Sequence, residues 1–396
     1  MTRVVLAPDK FKGTLTAAQV AEHLAAGMPD VETVTVPVAD GGDGLLDAFE
    51  AAGFERVPVT AAGPTGERGS THYVRRGTEA VVELAATCGL ARLGDDRAPL
   101  TATSRGVGEV IAAALDAGCT HLVVGIGGSA STDGGAGLVQ ALGARVLTSE
   151  GTDVEPGGGA LDAVATLDLS GLHPGLQDAT IEVACDVDNP LTGRRGAAAV
   201  YGPQKGASPE DVEKLDAALT HWADAVADAT GGDHRDDPGA GAAGGVGFAA
   251  VAILGATLRP GVELVLDMVD FGTAVAGVDL VVTGEGSLDE QTLNGKTPAG
   301  VAAAARKAGV PVVAVAGRCE LDADALHDAG FRDVYVLADE AGSPDEAMQQ
   351  PGPLLRKIGE RIAESLSPAA TESRPLAGGG RSGGRDACGA NQRRPS

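Results

Sequence analysis

The sequence predicts an α/β fold built mainly on parallel sheet. Three observations carry that expectation. Short, nearly all-apolar runs of 4 to 6 residues recur along the chain, as expected of strands covered on both faces. Helical stretches lie between many of them, which implies βαβ units. Several of these stretches end on glycine, a common helix stop.

In chain order the expected strands are Arg3–Ala7, Thr33–Val38, Glu79–Leu84, Leu122–Ile126, Ile181–Ala184, Leu280–Thr283, Val312–Ala316 and Val334–Leu337. The clearest helical stretches are Ala17–Gly27, Ser104–Gly118, Gly135–Leu142, Pro209–Thr230 and Ala299–Gly309. At 396 residues the chain has room for two domains or one large one. Ala62–Gly66 is a turn-rich break near a first boundary, and Gly231–Gly247 reads as a long functional loop. From Ser367 onward Gly, Ser, Pro and Arg dominate with almost nothing to bury, so a disordered tail is expected over 367–396. There is no internal repeat.

Composition narrows the function. Aromatics are only 3 % of the chain, so the cores must rest on Ala, Val and Leu, with close backbone approach at many of the 59 glycines. The formal charge of −25 excludes nucleic acid and an anionic membrane surface as partners. An anionic substrate then requires locally gathered cations or a metal ion. The five cysteines show no metal-ligand spacing and read as reduced thiols of a cytoplasmic protein. A strand begins within three residues of the start, so no signal peptide is expected, and no apolar run is long enough for a membrane span.

The most informative pattern is an apolar strand followed by an acid. Asp9, Asp40, Asp186 and Glu285 each follow a strand closely, and Asp133 follows Leu122–Ile126 across a glycine-rich loop. In open α/β sheets, ligands bind outside the carboxyl ends of the strands. Any one of these acids could instead cap the next helix. Five together point to a hard cation such as Mg²⁺, with one carboxylate free to accept a proton from an attacking hydroxyl. Lysine is scarce. Of seven, Lys10, Lys12, Lys205 and Lys296 fall in Gly- or Pro-marked loops, where a compact cation would meet phosphate or carboxylate.

The loop Gly125–Gly137 follows a strong strand and opens a helix, which suits an anion. Its spacing fits neither a P-loop nor a dinucleotide fingerprint. A second loop, Pro238–Gly247, would line the same cleft or serve close helix–sheet packing. Ser104 and Arg105 stand at a helix start, where a guanidinium can fork onto a carboxylate. No Ser-His-Asp or Cys-His arrangement is present, which disfavours hydrolase chemistry.

Taken in order, these segments resemble the bacterial glycerate kinases (glycerate kinase type 1, glycerate 2-kinase). The matching segments are Ala7–Leu15, Val38–Gly44, Thr103–Gly106, Gly125–Gly137, Ala184–Leu191, Tyr201–Ala207, Pro238–Gly245 and Thr283–Asp289, then Gly295-Lys296. The resemblance covers about residues 1–366, and the tail has no counterpart in it. It implies two α/β domains of Rossmann-like or flavodoxin-like type, with the active site in the cleft between them. The first domain would comprise 1–66 and 286–366, with 67–285 inserted. It also implies ATP-dependent phosphorylation of D-glycerate, with 2-phosphoglycerate favoured over 3-phosphoglycerate.

Under that reading the catalytic candidates are Asp186, Asp40, Lys10 and Lys205. Substrate binding is expected of Asp9, Lys12, Ser104, Arg105, Gly127, Gly128, Ser129 and Asp133. Nucleotide binding is expected of Gly284, Glu285, Gly286 and Lys296, and Mg²⁺ binding of Asp186, Glu285 and Asp289. The partners are then ATP and a small acid, with no nucleic acid or membrane, in a monomer or homodimer. Two alternatives remain: a kinase of another small hydroxy acid, such as tartronate or a longer aldonate, and a non-catalytic ligand sensor.

Overall fold

A computed structural model describes residues 1–366 apart from 40, 43, 294, 295 and 343, with the backbone alone at 291, 344 and 345. The tail expected over 367–396 lies outside the described residues, as does Asp40. The strands are β1 (Arg3–Pro8), β2 (Glu32–Thr35), β3 (Glu55–Ala62), β4 (Arg68–Arg76), β5 (Glu79–Glu83), β6 (His121–Gly125) and β7 (Arg145–Leu147). They continue with β8 (Thr166–Asp168), β9 (Thr180–Ala184), β10 (Thr257–Arg259), β11 (Leu280–Leu288), β12 (Val312–Cys319) and β13 (Phe331–Val336).

One sheet has five strands in the order β13-β12-β11-β1-β2 and is parallel throughout. The other has six, in the order β10-β9-β6-β5-β4-β3, parallel except for the antiparallel pairs β3–β4 and β4–β5. A short antiparallel pair, β7–β8, stands apart. All eight strands expected from the sequence are present.

The β3–β4 hairpin was not anticipated. Its strands alternate charged and apolar residues because much of the hairpin is solvated, so they lack the continuous apolar signature of a covered strand. The Ala62–Gly66 break is the turn of this hairpin and lies inside the six-stranded sheet.

Alternate residues of each central strand face opposite layers. Val4 and Leu6 pack against the helices Ala17–Ala26 and Pro351–Ser365. Val5 and Ala7 point the other way, into a core shared with the helices Leu45–Ala51, Gly261–Met268 and Thr297–Lys307. That same core takes Val81 and Val123 from the second sheet. Their neighbours Val82 and Val124 face the helices Arg105–Asp116, Ala136–Ala141 and Pro209–Thr230. The two sheets therefore sandwich one helical layer, and each is capped by another on its far face. Each fully buried Val or Leu contributes roughly 1.5–3 kcal/mol, which offsets the scarcity of aromatics. Among the described residues no helix is long and apolar enough to cross a membrane.

Candidate active site

At the carboxyl end of the five-stranded sheet, the chain turns sharply after β1. The Asp9 backbone N–H donates to the Gly284 carbonyl at 2.7 Å, tying that turn to β11. Asp9 accepts from the Lys10 N–H at 2.6 Å and from the Thr297 hydroxyl at 2.8 Å, so it also anchors the start of the helix Thr297–Lys307. Glu285 accepts from the Thr292 hydroxyl. Burial pushes the Glu285 carboxyl above its usual range, and nearby Asp9 and Asp289 push it the same way. The Thr292 bond and the Lys296 ammonium oppose this. Asp9, Glu285, Asp289 and Lys296 thus form one electrostatic group.

Gly284 is forced by packing, since a Cβ there would stand 2.0 Å from the Val315 carbonyl oxygen. Gly286 lies against the backbone of Phe11 and Lys12, while the Lys12 side chain is exposed. Lys10 reaches toward Gly44, its Nζ 3.1 Å from where a Cβ on that glycine would lie.

The carboxyl end of the six-stranded sheet holds a cavity of about 290 Å³. Gly127, Gly128 and Ser129 line it after β6, and Asp186 lines it after β9. Lys205, Tyr201 and Gln204 close another side. Asp186 accepts from the Gly261 N–H at 2.9 Å at the start of the helix Gly261–Met268. Lys205 is only 2 % exposed, and its ammonium donates to Ser129 Oγ at 2.9 Å and to the Ser131 carbonyl at 2.6 Å. Burial pulls its pKa down to about 7, with Asp133 pulling the other way.

Behind the cavity the loop is held from below. Gly134 adopts φ +62°, and a Cβ there would strike the Trp222 ring at 2.4 Å, so only glycine fits. The Trp222 indole N–H donates to the Gly134 carbonyl at 2.9 Å.

Three groups expected to touch substrate are used within the protein. Asp133 is 1 % exposed and accepts from the Ser104 N–H at 2.7 Å, the Ser104 hydroxyl at 2.9 Å and the Gly135 N–H at 3.2 Å. Ser104 is fully buried in the same knot. Arg105 points outward, its Nε donating to Glu109 at 3.1 Å, and does not line the cavity. Here a helix-start residue four positions before a glutamate found the commoner partner.

Other residues went unmarked by the sequence reading. Glu83 ends β5, is buried and accepts from the Leu46 N–H at 3.2 Å. It shows the same strand-then-acid signal and could have been found by it. Thr292 and Thr297 hold the acids of the first end and carry no such signal.

The segment after β2 joins the two ends. Gly41 and Gly42 line the cavity, and Gly42 packs so closely that a Cβ on Gly127 would fall 2.9 Å from its Cα. A few residues on, Gly44 meets Lys10. Among the described residues, no three His, Cys, Asp or Glu side chains gather closely enough to hold a metal by themselves.

Acids clustered at the end of one sheet, with a buried lysine and a glycine loop at the end of the other, are the parts of a small-molecule phosphotransferase. The sequence pattern of the glycerate kinase family matches residues 4–367. The glycerate kinase of Bacillus subtilis (strain 168) is 44 % identical over 377 residues, spanning 93 % of this chain and 99 % of the relative. The glycerate 2-kinase of Escherichia coli (strain K12) is 42 % identical, spanning 92 % and 98 %. A crystal structure of glycerate kinase 2 from Salmonella typhimurium LT2 superposes with a TM-score of 0.83 at 42 % identity, covering 92 % of this chain and 98 % of that one. The chain belongs to the glycerate kinase family, kinases that phosphorylate an alcohol group.

Proposed function

We propose that the chain transfers the γ-phosphoryl group of ATP to D-glycerate in the cytoplasm, giving ADP and 2-phosphoglycerate in preference to 3-phosphoglycerate. The observation that carries this is the cavity lined by Asp186 and Lys205, linked through Gly41–Gly44 to the Asp9, Glu285 and Lys296 group. In the reaction the bond from the γ-phosphorus to the β–γ bridging oxygen breaks, and a bond to the glycerate hydroxyl oxygen forms. Asp186, which lines the cavity, would take the hydroxyl proton. Lys10 and Lys296, with Lys12, compensate the phosphate charge, and Gly284 and Gly286 let the nucleotide approach the backbone. Most of the acceleration comes from positioning and charge compensation.

Glu285 and Asp289 would hold Mg²⁺, beside Asp9. Their donor set is all oxygen, and Glu285, raised chiefly by burial and further by the charges of Asp9 and Asp289, would be favoured in its ionised form by a cation. Mg²⁺ commonly takes only one or two carboxylates and completes its shell with phosphate and water, so a full protein cage is not required. That cation supplies charge to the phosphate oxygens. Asp186, at the far end, is better suited to the proton than to the metal.

We also take the two sheets as two domains, with the second inserted into the first. The chain passes to the six-stranded sheet between β2 and β3 and returns between β10 and β11, which favours crossovers at those connections.

NMR identification of the product after incubation with ATP, Mg²⁺ and D-glycerate tests the reading. A phosphoglycerate supports it, and the position of the phosphate decides between the two isomers. ADP formed only with tartronate or a longer aldonate would replace the substrate. Binding of ATP and glycerate without ADP would make the chain a sensor.

A further inference from the structure

Lys205 is a buried amine with no carboxylate paired to it among the described residues. Its ammonium carries three N–H donors, and two are used, on Ser129 Oγ and the Ser131 carbonyl. Among the described residues no carboxylate lies within ion-pair distance of it. Asp133, the one acid that pulls on it, is already occupied by Ser104 and the Gly135 and Gly137 N–H groups. Lys205 lines the cavity together with its partner Ser129. A charge held this way costs several kcal/mol unless a partner arrives.

We propose that Lys205 and Ser129 form the anchor for an anionic oxygen of the bound substrate, and that the anchor takes up a proton as that oxygen arrives. This rests on the proposed kinase reading and specifies which residue receives the anion. Burial lowers the Lys205 pKa to about 7, so above that pH the neutral amine predominates until an anion arrives. An anion on the third donor restores the charged form. The surrounding groups do not blur the signal. Burial pushes the Cys185 thiol and the Tyr201 phenol upward, so both stay neutral. Among the described residues Asp133 and Asp186 are the carboxylates nearby, and the Arg97 stem packs against Gly206. Two sources share the required chemistry, the glycerate carboxylate and a phosphate oxygen of the nucleotide.

The test is calorimetric titration of the full chain in buffers of different ionisation enthalpy. One arm uses D-glycerate, which does not itself titrate between pH 6 and 8. The other uses a non-hydrolysable Mg-ATP analogue at pH 8. The arm that meets Lys205 should take up about 0.9 proton at pH 8, and for D-glycerate only about 0.1 at pH 6. Lys205→Arg, which is always charged, should bind with no uptake. Lys205→Met should weaken that ligand roughly 100-fold. No uptake in either arm at pH 8 overturns the proposal, and so does undiminished uptake in Lys205→Arg. The wild-type measurement decides even if the variants fail to fold. Uptake without any product from ATP and D-glycerate would sink the proposed reaction and leave this anchor standing. Turnover without uptake would do the reverse.

Discussion

At the end of the five-stranded sheet burial raises a carboxyl, Glu285, and at the end of the six-stranded sheet burial lowers an ammonium, Lys205. The physical cause is the same: removal from water disfavours whichever form is charged. The neighbourhoods differ. Glu285 stands among the like charges of Asp9 and Asp289, with the Lys296 ammonium as counterweight, so the first end is rich in acid. Lys205 has neutral oxygens for partners, and among the described residues no carboxylate pairs with it. A metal-bound nucleotide at the first end and an acid substrate at the second would give each buried group an opposite charge. The glycines at 41 and 42 let these complementary ends stand close together.

If this contrast is right, the second end should be the more sensitive. Lys205→Met should lower kcat/KM for phosphoglycerate formation by about 10³–10⁴, or about 4–5 kcal/mol. A loss below tenfold would break the comparison. Asp133→Ala should destabilise the fold by about 3–4 kcal/mol in urea unfolding, because it orphans the Ser104 donors. A cost under 1 kcal/mol would return Asp133 to the candidate ligands. Glu285→Gln should reduce kcat/KM by roughly 10²-fold, about 2.7 kcal/mol, and raise the Mg²⁺ concentration needed for half-maximal rate. An unchanged Mg²⁺ requirement would separate this end from the metal.

The pH dependence of stability sharpens the same contrast. Lys205 falls from its ordinary 10.5 to about 7 on folding. Between those values the unfolded chain holds a proton that the folded chain lacks, so folding is penalised increasingly as pH falls toward 7. The ligand-free wild type should therefore gain on Lys205→Met by up to about 1.4 kcal/mol per unit as pH rises from 7 to 9. Parallel curves for the two proteins would show that the ammonium is solvated after all. The smallest effect belongs to Arg105→Ala, at most about 0.5 kcal/mol in stability and a change in kcat/KM within about threefold, as for an exposed pair. A hundredfold loss would mean that the guanidinium leaves Glu109 for substrate.

Much of the fold was legible because its signals are local. A strand covered on both faces is apolar through its covered run, and residues 4–7 in β1, 122–124 in β6, 280–282 in β11 and 312–316 in β12 announce themselves so. The hairpin β3–β4 was not legible, because half-solvated strands mix charges with apolar residues. Within the site, Asp9 and Glu285 stood out as acids at a strand end, and Gly127–Ser129 as a glycine loop, while Asp289 came only with the family resemblance; the structure gathers the three acids and opens the loop onto the cavity. Arg105 and Asp133 have the residue types a carboxylate site uses, yet one finds Glu109 a turn away and the other is enclosed by Ser104.

The amino-acid sequence alone determined the strands covered on both faces, the longer helices between them, and which chemical groups stand at those strand ends, since these depend on residues near one another along the chain. Only the tertiary structure decided which of those groups meet water, a ligand or each other. Lys205 meets Ser129 across 76 positions, and Asp133 meets Ser104 across 29. Burial and hydrogen-bond partnership arise from such distant pairings, and they turn a lysine into a desolvated anchor and an aspartate into a fastening.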